Sequence, residues 1–492
     1  MRATAGAYAE AGAPDPAGSM QPTRTILTGG APAKLAVPRW VVIIAAMAAQ
    51  VVLARAMVQA PILGLVQAAV LAALVGYAAV TRNTILSLGL IAYLPGVEVA
   101  FRQVSAPVPY LLVPYLLIAI GVLATFTAYD QITKPGRTAL LYFFLLVPSA
   151  IATISATGSG ARELLAFALS GPLALAVLIV FLSQVQLETW LYRRLMWIMI
   201  ISGLAPSAIA LTSIGDYLST AGAIDFSSES NFVTSGGFGP VQVSSVVGLS
   251  VLASVLVYAV EREPTMRLLS IATGTVAIVV SLLTFSRGGM TATALAVAAL
   301  IISQTRDPRA RRRVVTIVAV VLILGYTLLL PRLNEFTQGA FEERFTDTET
   351  SRTELAVNDF EIFQDHILFG VGPGLTKYQR LTWEVCQIRA DRCKDEASSH
   401  TEFTRMLSEH GIPGLLAIVV MATLPLQAIR RSSASRPLTI AFLVWAIAQL
   451  FYANFRVSAV AVVFAFAFLR IESSAGPGQL ADEPRPDAAL SR

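Results

Sequence analysis

Three residues in the second half of the chain stand where a cation or a base could act on a phosphorylated substrate. Arg287 lies in Phe285-Ser286-Arg287-Gly288-Gly289, a break between two apolar runs where the glycines allow a tight turn. Arg352 falls within Ser351-x-x-Glu354, and His400 within Ser399-x-x-Glu402. Each spacing is a capping box, so each predicts a helix start with the arginine or histidine in its first turn. The positive end of a helix attracts phosphate and disfavours imidazolium, which would keep His400 neutral. A neutral histidine can accept a proton, and an arginine fork can grip a pyrophosphate through paired hydrogen bonds. The same residues also fit a plainer reading: one interfacial anchor and two well-capped helices with incidental first residues. His366 and His410 lack this setting and read as structural or solvent-facing. Ala356, Phe360, Phe363 and Ile367 recur at helical spacing, a stripe able to lie on a membrane or against other helices. Gly370-Val371-Gly372-Pro373-Gly374 ends that helix, either as a turn or as a nest of amides for an anion.

All three histidines and both cysteines lie between Pro331 and His410, the one long polar interval of an apolar chain. The 492 residues are 55% hydrophobic and 14% charged, with a mean hydropathy of +0.67. Soluble domains carry about 25% charged residues, so the composition excludes a soluble globule. The fold class is all-α: a polytopic transmembrane bundle of about fourteen spans with one large external loop carrying short helices. Residues 1–36 and 472–492, rich in Ala, Gly and Pro, read as disordered cytoplasmic tails, and the first does not have the order of a signal peptide. Spans one to eleven occupy 37–330, the external loop 331–410, and spans twelve to fourteen 411–471.

Basic residues fall on alternate connections, at Arg82, Lys134 and Arg137, Arg193 and Arg194, Arg262 and Arg267, Arg306–Arg313 and Arg430–Arg436. The 215–240 connection holds Asp216, Asp225 and Glu229 but no Lys or Arg. This asymmetry places both termini inside and the 331–410 loop outside. A net charge of +5 then marks topology rather than nucleic-acid binding, and the run TRDPRARRR is an anchor between spans. Arg55 and Arg102, at outer span ends, either snorkel or pair, or else face an anionic ligand. Pro61, Pro95, Pro172 and Pro206 require packing neighbours to satisfy freed backbone groups. Cys386 and Cys393, close together in a loop placed in an oxidising compartment, are expected to form a disulfide.

The segments TFSRGG, TSR followed by GVGPG, and SSHTEF with EHGIPG resemble, in their order, the O-antigen ligase and O-antigen polymerase (Wzy/WaaL-like) family. The resemblance covers roughly residues 270 to 430. It implies a GT-C-like, inverting, metal-independent membrane glycosyltransferase of surface or exopolysaccharide biosynthesis. Its donor would be a glycan on polyprenyl (undecaprenyl) pyrophosphate, used at the outer face of the cytoplasmic membrane. By motif, the family's donor-binding arginines fall on Arg287 and Arg352, and its catalytic histidine on His400. Thr401 stands where members often carry asparagine. No cofactor or metal is implied, and Asp347, Asp359, Asp365, Asp391 and Asp395 are scattered along the sequence. The partners implied are the lipid-linked donor, a glycan acceptor, membrane lipid and other polysaccharide-export proteins. A polymerase of repeat units is the leading expectation. A ligase moving a finished glycan to lipid, wall polymer or protein shares the same chemistry. A lipid-linked-oligosaccharide flippase would need charges along a mid-membrane pathway, whereas most charges here sit at span ends.

Overall fold

The computed structural model describes residues 26–27, 37–128, 131–221, 224, 226, 230–304, 308–346, 351–382, 399, 401–432, 435–452, 455 and 457–472. The first half forms α1 (Arg39–Gln59), α2 (Ile62–Val80), α3 (Thr84–Gln103), α4 (Leu112–Ala128), α5 (Lys134–Leu146), α6 (Ala150–Thr157), α7 (Ala161–Leu182) and α8 (Thr189–Ala221). The second half forms α9 (Pro240–Val260), α10 (Pro264–Leu283), α11 (Arg287–Ser303) and α12 (Pro308–Leu324), then the short α13 (Leu330–Phe336), α14 (Ala340–Thr346), α15 (Ser351–Asp365) and α16 (Thr376–Thr382). Three more helices follow: α17 (Glu402–Arg431), α18 (Arg436–Leu450) and α19 (Ser458–Phe466). The chain is an all-α polytopic membrane protein. Among the described residues, nine helical stretches are long and apolar enough to cross a bilayer, and three shorter apolar helices accompany them.

Burial separates the helices into two groups. α3, α8 and α9 are mostly enclosed by protein, whereas α1, α2 and the Arg311–Phe336 stretch present most of their apolar surface outward, as lipid-facing helices do. Small residues allow the enclosed helices to approach closely. A Cβ on Gly289 of α11 would lie 2.4 Å from the Ser244 carbonyl carbon of α9. At Pro95 in α3 the Ser202 hydroxyl accepts from the Gly96 N–H at 3.0 Å and donates to the Tyr93 carbonyl. A neighbouring helix thus serves the backbone beside the proline, as the sequence requires.

The last apolar run, 457–471, contains only the nine residues of α19, too few to span a bilayer. It needs no lipid-spanning length because every residue from Val457 to Leu469 is buried. It ends in strand β3 (Arg470–Glu472), which pairs in parallel with β2 (Gln186–Glu188), itself paired with β1 (Ile26–Leu27). Residues from near both ends of the chain therefore meet on the side of the α7–α8 connection. The remainder of the two terminal stretches lies outside the described residues.

Candidate active site

The loop helices are held by two glycine motifs that interlock. Gly370, Gly372 and Gly374 all have positive φ, and Gly411 (φ +63°) breaks α17 into a short and a long helix. The Val371 N–H donates to the Ser408 carbonyl at 2.9 Å, the Gly372 N–H to Glu409 at 3.0 Å, and the Ile412 N–H to Ile367 at 2.8 Å. A Cβ on Gly370 would sit 2.3 Å from the Glu409 carbonyl carbon, and one on Gly411 2.4 Å from the Ile367 oxygen. Only glycine permits this approach. Because the Val371 and Gly372 amides are spent on carbonyls, the segment is a structural turn rather than an anion nest. His410 is buried beneath it, with Nδ1 3.0 Å from the Leu146 carbonyl and also bonded to the Ser149 hydroxyl. His366 is exposed, so both histidines match the plain reading of them.

Charged side chains meet on the same helices. Arg405 donates from Nε to Glu402 at 3.2 Å, makes a second, shorter bond to that carboxylate, and reaches Glu409 at 3.1 Å. Glu402 is fully buried and Glu409 nearly so. Arg380 of α16 pairs with Asp359 of α15 at 3.1 Å and donates to the Ser399 hydroxyl at 3.0 Å, while Thr404 donates to Asp359 at 2.9 Å. Burial pushes the Asp359 carboxyl up, opposed by Arg380 and by hydrogen bonds from Thr404 and Ser399. Burial likewise pulls Arg380 down, opposed by Asp359 and Glu409. These bonds explain why α15 turns as it does. Its buried side carries Asp359 and Ile362, while Phe360 and Ile367 of the expected apolar stripe are exposed. The ion pair outranks the stripe.

Beside this network lies a cavity of about 1250 Å³. Its walls include Tyr110 ahead of α4, Arg162 and Phe167 of α7, Arg380 of α16, and Ser399 with Arg405. Ser399 was expected to cap the helix after it; instead Thr401 does so, its hydroxyl accepting from the Thr404 N–H at 3.1 Å. The β-branched threonine takes the extended backbone that a cap needs, and the Ser399 hydroxyl is committed to Arg380. Helix α17 therefore starts at Glu402, after position 400. His400 itself lies outside the described residues, flanked by cavity-lining Ser399 and by the capping Thr401. Asparagine, frequent at position 401 in the resembled family, would cap equally well.

Arg352 is the second residue of α15, in its first turn as expected, although Ser351 stands inside the helix rather than before it; the Arg352 side chain lies outside the described residues. Arg287 is the first residue of α11 and half-buried, but it does not line the cavity. Gly288 and Gly289 do not make the turn expected of them: they lie within the first helical turn, against Tyr452 and Ser244. Phe285 makes the turn, at φ +56°, a conformation costly for a bulky residue. Its ring is held by stacking on Phe226 (5.2 Å between centroids) and by an edge contact with Phe341 (5.7 Å). Tyr452, against Gly288, is three residues from cavity-lining Phe455, so one short segment links the start of α11 to the cavity. Cys386 and Cys393 lie outside the described residues.

Residues 271–419 match the family model described as O-antigen ligase. This region belongs to the O-antigen ligase family. The match contains Arg287, Arg352 and His400 together with the whole Asp359–Arg380 and Glu402–Arg405–Glu409 network, whereas Tyr110, Arg162 and Phe167 lie before it. No curated protein matches the chain. With the membrane-spanning helices, an O-antigen ligase region makes this a multi-pass membrane protein of polysaccharide assembly and a glycan-transferring enzyme. Sequence reasoning missed Arg380, Arg405 and Glu409. The spacing Glu402-x-x-Arg405-x-x-x-Glu409 puts all three of its charges on one helix face and was the available signal for two of them. Arg380 had no such local signal, since its partner Asp359 is on another helix.

Proposed function

We propose that the chain polymerises glycan units carried on polyprenyl pyrophosphate at the outer face of the cytoplasmic membrane. The observation carrying this reading is that the O-antigen ligase region builds one wall of a large cavity, with the residue before His400 on that wall. In the proposed reaction an acceptor hydroxyl oxygen attacks the anomeric carbon of the donor sugar from the face opposite the phosphate. The bond from that carbon to the phosphate oxygen breaks, polyprenyl pyrophosphate leaves with the electron pair, and configuration inverts. His400 takes the hydroxyl proton. Arg287 and Arg352 hold the pyrophosphate, whose departure requires charge stabilisation more than protonation. No metal takes part.

Polymer formation in membranes from a synthetic lipid-linked repeat unit, at matched expression, tests the assignment. His400→Ala should lose about 10²–10⁴-fold, the usual worth of a positioned base. Arg287→Lys and Arg352→Lys should lose most activity, since lysine lacks the planar fork, and a chelator should change nothing. Near-normal chain growth by His400→Ala would discard the base, and normal growth by both arginine variants would discard the donor site. The description of the matched family favours a ligase as the second reading. That enzyme would attach a single glycan to a different acceptor in the same membranes instead of producing a ladder.

A further inference from the structure

Tyr110 separates two cavities: the large one, and a smaller one of about 280 Å³ lined by Glu98, Arg102 and Phe238. The Arg102 guanidinium lies over its ring at 4.0 Å from the centroid. Arg102 is itself fixed by Glu98 at 2.5 Å, and the second oxygen of that buried carboxylate accepts from the Ser458 N–H at 2.7 Å and hydroxyl at 2.5 Å. A chain of buried polar contacts thus runs from the start of α19 to the back of one ring. Tyr110 remains 50% exposed, and Phe167, 45% exposed, has its ring 6.0 Å away across a 38° tilt. A tyrosine that only marks the membrane interface needs no buried ion pair behind it. A binding platform does, because a ring already held in place loses little freedom when a ligand stacks on it.

The surroundings indicate what would stack there. The same cavity presents Arg162, Glu163, Lys377 and Gln379, polar groups that would be poor company for an acyl chain. A pyranose suits both parts: its C–H face lies on an aromatic ring while its hydroxyls turn to charged and amide side chains. We propose that Tyr110, with Phe167 beside it, is a stacking platform for a sugar ring of the acceptor glycan, a subsite outside the O-antigen ligase region that supplies the catalytic residues. This rests on the glycosyltransferase reading and adds to it where the acceptor sits.

The test uses the full chain in nanodiscs, with oligosaccharides freed by mild acid from the host's own surface polysaccharide as the probe. Saturation-transfer NMR should show contact to sugar ring protons. Tyr110→Ala and Phe167→Ala should each weaken binding about tenfold, the scale of one aromatic contact. Tyr110→Phe, which keeps the ring, should retain binding and so control for misfolding. Absence of binding by the wild-type chain, or equal binding by Tyr110→Ala, overturns the platform. So does quenching of Tyr110→Trp emission, measured against wild type, by brominated acyl chains, since the ring would then face the bilayer. Transfer from the lipid-linked donor is measured separately in the same nanodiscs; its absence in the wild type would count against the glycosyltransferase reading instead.

Discussion

Replacing Arg405 with methionine removes the cation hydrogen-bonded to two buried carboxylates while preserving much of the side-chain volume. Glu402 has no exposed surface and Glu409 is 4% exposed, so neither can turn to water without moving α17. Breaking a buried ion pair by deleting one partner costs about 3–5 kcal/mol, because the remaining charge is left uncompensated. The cost should fall on the first two turns of α17, which the interlocked glycine motifs tie to α15 and α16. In amide exchange, a local opening easier by that amount raises the open population about 10²–10⁴-fold. Exchange of residues 402–410 in nanodiscs should accelerate accordingly, with α9 and α10 unaffected. The triple variant Glu402→Gln, Arg405→Met, Glu409→Gln should recover most of the protection, since no unpaired charge remains. Exchange in the single variant within about threefold of wild type, a change worth only about 0.7 kcal/mol, would refute the view that this triad locks the helix.

Gly411→Ala should destabilise the same junction by about 1–3 kcal/mol through a strained positive φ and a contact with the Ile367 oxygen, seen as faster proteolysis of the 331–410 region. Single cysteines at positions 396 and 229, in a background lacking Cys386 and Cys393, should react with impermeant reagents only from outside; labelling from the cytoplasmic face alone would reverse the topology. Intact wild-type protein should show no alkylatable thiol until reduced, whereas two reactive thiols without reductant would exclude the Cys386–Cys393 disulfide.

Hydropathy and arginine placement are local properties of the chain, and a bilayer reads them locally. For that reason the membrane class and the helical segments follow from sequence alone. The glycines at 370–374 and 411, the helix opening at Ser351 and the O-antigen ligase motifs were equally legible, because each is a short run with one dominant backbone preference. The placement of charge was not. Asp359 meets Arg380, and Glu98 meets Ser458, across separations in sequence that carry no periodic signal. Ser399 looks like the cap in sequence; a hydrogen bond from Arg380 takes it and leaves the helix to Thr401. Phe285, rather than either glycine after it, makes the turn before Arg287, because aromatic rings from two other segments, Phe226 and Phe341, hold it there. Sequence determined which residues could do chemistry. Tertiary packing decided which are committed to bracing the cavity, since a buried charge must find its partner wherever the fold supplies one.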